Sequence, residues 1–128
     1  MFKVTPVQYD PRTWILAVQG EIDMNSVPEL EEAIESLFAK SIYRIIMDFE
    51  RVTFVSSAGF GCLIHTRDVV LKNGGGLAFA GTTARVREIF DLLGISSFLR
   101  FAPDLGGALA QIEGESGAAK IVPSARIR

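Results

Sequence analysis

The stretch "FERVTFVSSAGFGCLIH", residues 49–65, changes its rule halfway. As far as Val55 it is β-prone. Ser56 and Ser57 then interrupt it, Ala58-Gly59 follow, and apolar residues recur at helical spacing. Two hydroxyls therefore stand where a strand turns into a helix. That geometry serves a nucleophile elbow, a phosphate cradle, a plain helix cap and a phosphorylation switch alike, so the rest of the chain has to discriminate.

Upstream, "IYRIIMDF" (42–49) is apolar on both faces apart from Arg44, the pattern of a central strand covered on two sides. Before it, "SVPELEEAIESLF" predicts a helix. Ser26 and Glu29 have the spacing of a capping box, Pro28 fits the first turn, and Val27, Leu30, Ile34, Leu37 and Phe38 form one apolar stripe. Glu31, Glu32 and Glu35 read as a solvated face. "FKVTPV" and "TWILAVQG" flank the turn "YDPR" and predict a hairpin, with "EIDMN" as a polar loop after Gly20.

Downstream, residues 57–73 predict a second helix with Phe60, Leu63, Ile64 and Leu71 inward, ending at the glycines of "NGGG". "LAFAG" reads as a short buried strand. "TTARVREIFDLLG" is a third helix with Val86, Ile89, Phe90 and Leu93 inward. "SFLRFA" reads as an edge strand and "DLGGALAQIEG" as a short fourth helix. The order β-β-α-β-α-β-α-β-α implies a single α/β domain with a mixed, mainly parallel sheet, an N-terminal hairpin and about four α-helices. The expected domain spans 1–113, with 114–128 as a flexible C-terminal tail.

Composition narrows the function. The 128 residues are 48% hydrophobic and 22% charged, as in a globular protein. Lys120, Arg126 and Arg128 against Glu115 give 114–128 a net +2, so the total of −2 leaves −4 for the body. A mildly acidic body argues against nucleic acid as a partner. No apolar run reaches the roughly 20 residues that span a bilayer, so no membrane insertion is expected. "MFKVTPVQYD" lacks a signal-peptide core, and the expected location is cytoplasmic.

The chemistry of the serines is limited by what surrounds them. "SSAGFG" is not G-x-S-x-G, because Val55 stands where the first glycine belongs. The single imidazole, His65, lies eight residues after Ser57 on the same helix, about 12 Å away at the helical rise. That is too far for a nucleophile–base pair. One Cys and one His make a poor metal set, and neither glycine run matches a nucleotide cradle, so no metal and no cofactor are expected. A cap needs one hydroxyl and here there are two. The small residues after them leave the helix start open to a partner and to a phosphate, which a helix N-terminus stabilises.

"GEID" (20–23), "IIMDFERVTFVSSAGFG" (45–61) and "GGGLAFAGTTARVREIFDLLGISSFLRF" (74–101) resemble the anti-sigma factor antagonist family, whose domain is the STAS domain. The likeness runs from about residue 2 to 112. It implies a STAS-like fold and a non-enzymatic partner switch. Such a protein binds an anti-sigma factor that is also a serine protein kinase when unphosphorylated, is released by phosphorylation, and is reset by a serine phosphatase. In the family the junction usually reads Asp-Ser-Ser/Thr-Gly-Leu-Gly. Ser57 falls on the phosphoacceptor, with Ser56 a second choice in place of the Asp. Ala58, Gly59, Phe60 and Gly61 complete the junction. Glu21 and Asp23 match the acidic loop beside it, and these residues together are the expected partner-binding set. Two other readings remain open: an accessory subunit of a lipid or anion transport complex without a phosphoswitch, and a small-molecule-binding module or enzyme using the Ser57 cleft.

Overall fold

The structure, a computed structural model, describes residues 1–112. Its elements are β1 (Lys3–Asp10), β2 (Thr13–Ile22), α1 (Val27–Ala39), β3 (Arg44–Val55), α2 (Ser57–Lys72), β4 (Gly76–Ala80), α3 (Ala84–Leu92), a 3-10 turn (Ser96–Phe98) and β5 (Phe101–Ala102). A helix over 105–112 follows. The boundary expected at 113 and the tail 114–128 lie outside the described residues.

The sheet is ordered β1-β2-β3-β4-β5. The hairpin β1–β2 is antiparallel and every later pair is parallel, through crossovers that contain α1, α2 and α3. Strands added in one direction by right-handed crossovers place those three helices on one face. Leu30, Ile34 and Leu37 of α1, Leu63 and Val70 of α2, and Val86 and Phe90 of α3 accordingly share one core with Leu16, Val18, Ile45, Met47 and Phe49 of the sheet. The 105–112 helix covers the other face, where Ala108 and Ile112 pack with Ile46, Ala78, Ala80 and Ala102. β3 is thus buried on both sides, as its double-faced apolar pattern requires.

β3 is longer than the sequence pattern suggests, because it runs through the "VTFV" segment without a break. It does so with two irregularities. Between the pairs Ala17↔Asp48 and Gln19↔Arg51, and again between Gly20↔Val52 and Glu21↔Phe54, β3 contributes one residue more than β2. Each extra residue changes which side chains face inward, so that Phe49, Val52 and Val55 are all buried.

Several local expectations give way to packing. Ser26 is buried and stands at the N-cap position of α1, but its side chain caps no helical N–H; its hydroxyl donates to the Glu21 carbonyl (2.7 Å) and accepts from the Asp23 N–H (2.9 Å). Glu21 and Ile22 belong to β2 rather than to a loop. Leu71 and Leu93 are exposed: in the last turn of α2 the inward residue is Val70, about 100° round the helix from Leu71, and Leu93 is the C-cap residue of α3. The "SFLRFA" strand shrinks to Phe101–Ala102, preceded by the 3-10 turn. Gly75 is required where it stands: a Cβ there would lie 1.9 Å from the Tyr43 carbonyl oxygen.

Phe90 is fully buried, with its ring centroid 4.8 Å from that of Phe60, 5.3 Å from Phe101 and 5.9 Å from Phe79. Phe90→Ala should therefore cost about 3–5 kcal/mol, a large part of the 5–15 kcal/mol that holds a domain of this size. Chemical denaturation monitored by circular dichroism measures it, and a loss below about 1 kcal/mol would contradict the buried placement.

Candidate functional site

β2 and β3 end side by side, with Ile22 opposite Val55. One residue further on, the Ser56 N–H still donates to the Ile22 carbonyl at 2.8 Å, so Ser56 continues the extended backbone. Its hydroxyl oxygen accepts from the Gly59 N–H (3.3 Å) and its carbonyl from the Phe60 N–H (2.9 Å). Ser56 is thus the N-cap of α2. Aspartate, the residue usual here in proteins the junction resembles, is an equally good cap, so the exchange keeps the local structure. Ser57 is the first helical residue. Its side chain is exposed and makes no hydrogen bond with the described residues. The two hydroxyls divide the work: one closes the helix, the other is left free.

The residues after them split in the same way. Gly59 is buried, and a Cβ there would lie 2.7 Å from Ile22 Cγ2 and 2.8 Å from Val55 Cγ1. Phe60 points into the core against Phe90. Both lie beneath the surface at the start of α2 and support it from below. Ala58 and Gly61 are exposed, and nothing of the chain lies within 4 Å of a Cβ built at Gly61. The bare surface at the start of α2 is therefore formed by Ser57, Ala58 and Gly61.

Asp23 is half-buried and occupied. Its Oδ1 accepts from the N–H groups of Asn25 (2.9 Å) and Ser26 (3.1 Å), and its carbonyl from Val27 (2.9 Å). Asp23 thereby holds the turn that leads into α1. Glu21 is exposed and lines an open groove of about 500 Å³ with Thr53, Phe54, Thr83 and Arg85. Two apolar residues that the sequence reading passed over belong to this end of the molecule. Met24 is 75% exposed in the turn after Ile22, and Phe54 is 43% exposed two residues before Ser56. The available signal was Met24 itself, an apolar side chain in a polar turn with no core to enter.

Catalytic chemistry is poorly served here. His65 is exposed on α2, two turns from Ser57. Burial, with Glu31 and Glu35 nearby, pushes the Cys62 thiol up to about 11, so it stays a neutral, unreactive group at physiological pH. Among the described residues no three His, Cys, Asp or Glu side chains are grouped as a metal set.

Comparison with known proteins agrees with this geometry. The profile of the family described as "STAS domain" matches residues 5–108. An anti-sigma-B factor antagonist of Staphylococcus epidermidis is 27% identical over 82 residues, 64% of this chain and 76% of that protein. The protein of that name in Staphylococcus aureus strain NCTC 8325 is 28% identical over the same shares. The crystal structure of an anti-sigma factor antagonist from Mycobacterium paratuberculosis superposes with a TM-score of 0.78 at 26% identity, covering 88% of this chain and 95% of that one.

The two junction glycines should separate on substitution. Gly59→Ala forces its methyl group into Ile22 and Val55 and should destabilise the domain by about 1–3 kcal/mol. Gly61→Ala meets nothing and replaces a poor helix former, so it should be neutral or stabilising by up to about 1 kcal/mol. Denaturation midpoints of the two variants provide the comparison; equal values would mean that α2 does not approach β2 as closely as described.

Proposed function

Because the chain belongs to the STAS domain family, we propose that it acts as an anti-sigma factor antagonist, binding its partner through the exposed start of α2 and released by phosphorylation of Ser57. The observation that carries this reading is the division between the serines. Ser56 is spent on capping, while Ser57 is exposed on a helix start bared by Ala58 and Gly61. The relatives named as anti-sigma-B factor antagonists support the class of partner.

The partner in this reading is an anti-sigma factor that also serves as a serine protein kinase, and a serine phosphatase restores the binding form. The protein itself catalyses nothing. Glu21, Met24 and Phe54, on the segments that meet at Ser56, would flank Ser57 in the complex, with the two apolar side chains as anchors. Asp23 contributes by holding its turn. No helix of the described residues is long and apolar enough to cross a membrane.

Phosphorylation adds about −1.5 to −2 charges. At the first residue of α2 the free N–H groups and the helix dipole favour that charge, so the domain keeps its fold. Within an interface the same charge must be desolvated, and without a matching cation that is costly. The switch thus acts on the complex.

Two measurements follow. Incubated with the anti-sigma kinase and ATP, the protein should gain one phosphate, mapped by mass spectrometry to Ser57. Labelling lost in Ser56→Ala and kept in Ser57→Ala would move the site, and no labelling would favour a transport-complex subunit. Ser57→Asp should melt within a few degrees of wild type, yet bind the anti-sigma factor at least tenfold more weakly, a difference of about 1.4 kcal/mol. Unchanged affinity for both this variant and the phosphoprotein, measured by calorimetry, would reduce Ser57 to an ordinary surface residue.

A further inference from the structure

β3 outruns one of its neighbours. Its pairing with β4 ends at Asp48↔Ala80, whereas its pairing with β2 continues to Ile22↔Val55. Past Ala80 the chain leaves the sheet through residues 81–83 and enters α3. Residues 50–55 therefore have a strand on one side and, among the described residues, none on the other. A strand aims its N–H and C=O groups to both sides, so this segment keeps a row of them without a ladder partner. No backbone bond from a turn, loop or helix end of the described residues reaches 50–55 either.

The sheet treats its outer edges differently. β5 is two residues long, and β1 carries Lys3 and Pro6. Short strands, lysine and proline are the usual means of keeping a foreign strand off an edge. On β3 the run Val52-Thr53-Phe54-Val55 has neither lysine nor proline and consists of strand formers. The second irregularity of β3 falls here too, and leaves Thr53 with no register partner on β2. Thr53 and Phe54 are exposed. The open groove of about 500 Å³ follows this stretch: it is lined by Glu50, Val52, Thr53 and Phe54 of β3 and by Thr83 and Arg85 at the start of α3.

An open strand edge specifies its occupant. Only another extended backbone returns hydrogen bonds at the spacing of a strand. We propose that residues 50–55 take up an extended segment of the anti-sigma factor, added to the sheet beside β3 where β4 has stopped. The inference rests on the partner reading given for Ser57 and deepens it. Ser57 stands two residues past Val55, within about 7 Å at the rise of a strand. A segment seated along the edge thus runs up to the phosphoacceptor. Main-chain bonds supply its affinity, and Phe54 with the groove wall selects its side chains.

Amide hydrogen exchange of the full chain, alone and saturated with the anti-sigma factor, tests the proposal. Amides of residues 50–55 that exchange fast in the free protein should slow at least tenfold in the complex, together with those of 57–61. Slowing confined to 57–61 overturns the strand addition and leaves the Ser57 reading standing. Absence of any complex overturns that reading, and this inference with it. If every amide of 50–55 is already protected in the free monomer, the chain covers its own edge. If their protection rises with protein concentration in the partner's absence, a second copy covers it. Either result overturns the proposal. Thr53→Pro removes an N–H at the residue that β2 does not pair, and should weaken binding at least tenfold. Thr53→Ala, which alters the side chain alone, should stay within about twofold of wild type. Equal affinities of the two variants overturn the proposal. The amides of Ile45 and Met47 report the fold of each variant; should Thr53→Pro lose their protection, the wild-type exchange map decides in its place.

Discussion

The first turn of α2 packs onto the ends of β2 and β3 only because position 59 has no side chain. A Cβ there would stand under 3 Å from Ile22 and from Val55, closer than carbon atoms approach without something moving. With glycine in place, the Ser56 N–H reaches Ile22 O and the helix begins immediately after the strand. That fixes Phe60 over Phe90, and Phe90 in turn touches Phe79 and Phe101, the rings of β4 and β5. One close contact thus sets the position of α3 and of the sheet's far edge. The aromatic cluster contributes offset and edge-on ring contacts beyond its buried area.

A surface built on such a rigid seat suits a switch read by a partner. The dipole at the start of α2 favours an added negative charge by about 0.3–1 kcal/mol, small beside the 5–15 kcal/mol that holds a domain together. At an interface the scale is different, since each 1.4 kcal/mol is tenfold in affinity. A modification nearly invisible to the fold is therefore decisive for a complex, provided the modified group sits on the surface and its neighbour does the capping. Ser57 and Ser56 satisfy that condition in turn.

The α/β order, the hairpin, the double-faced burial of β3 and the inward stripes of α1 and α3 were legible in the sequence. They rest on period and on turn residues, which are local. The failures share a cause. Ser26 and Glu29 have capping-box spacing, but the bend after Ile22 buries Ser26 and turns its hydroxyl to the Glu21 carbonyl and the Asp23 N–H instead of the helix. Leu71 and Leu93 are apolar residues at helix ends, where the inward positions are already taken by Val70 and Phe90. The extra residues in β3 leave no mark on composition, because a shift in pairing register is a property of two strands together. At the site, the serine pair and the glycines were readable. Which serine caps, which glycine is buried, and the exposure of Met24 and Phe54 depend on where β2 ends, and no local pattern carries that.

The two poles of the sheet differ in how their charges relate to the helices. Crossover helices run against the strands, so their positive N-terminal ends gather where β2, β3 and β4 finish. Glu21, Asp23 and Glu50 stand at that pole, and their sign complements the dipoles. At the other pole the helix C-termini are negative and Arg12, Lys40 and Arg44 complement them too, but there the backbone has already closed its own carbonyls. Dipole complementarity needs only the charge of such a side chain, and an exposed one supplies it at little cost.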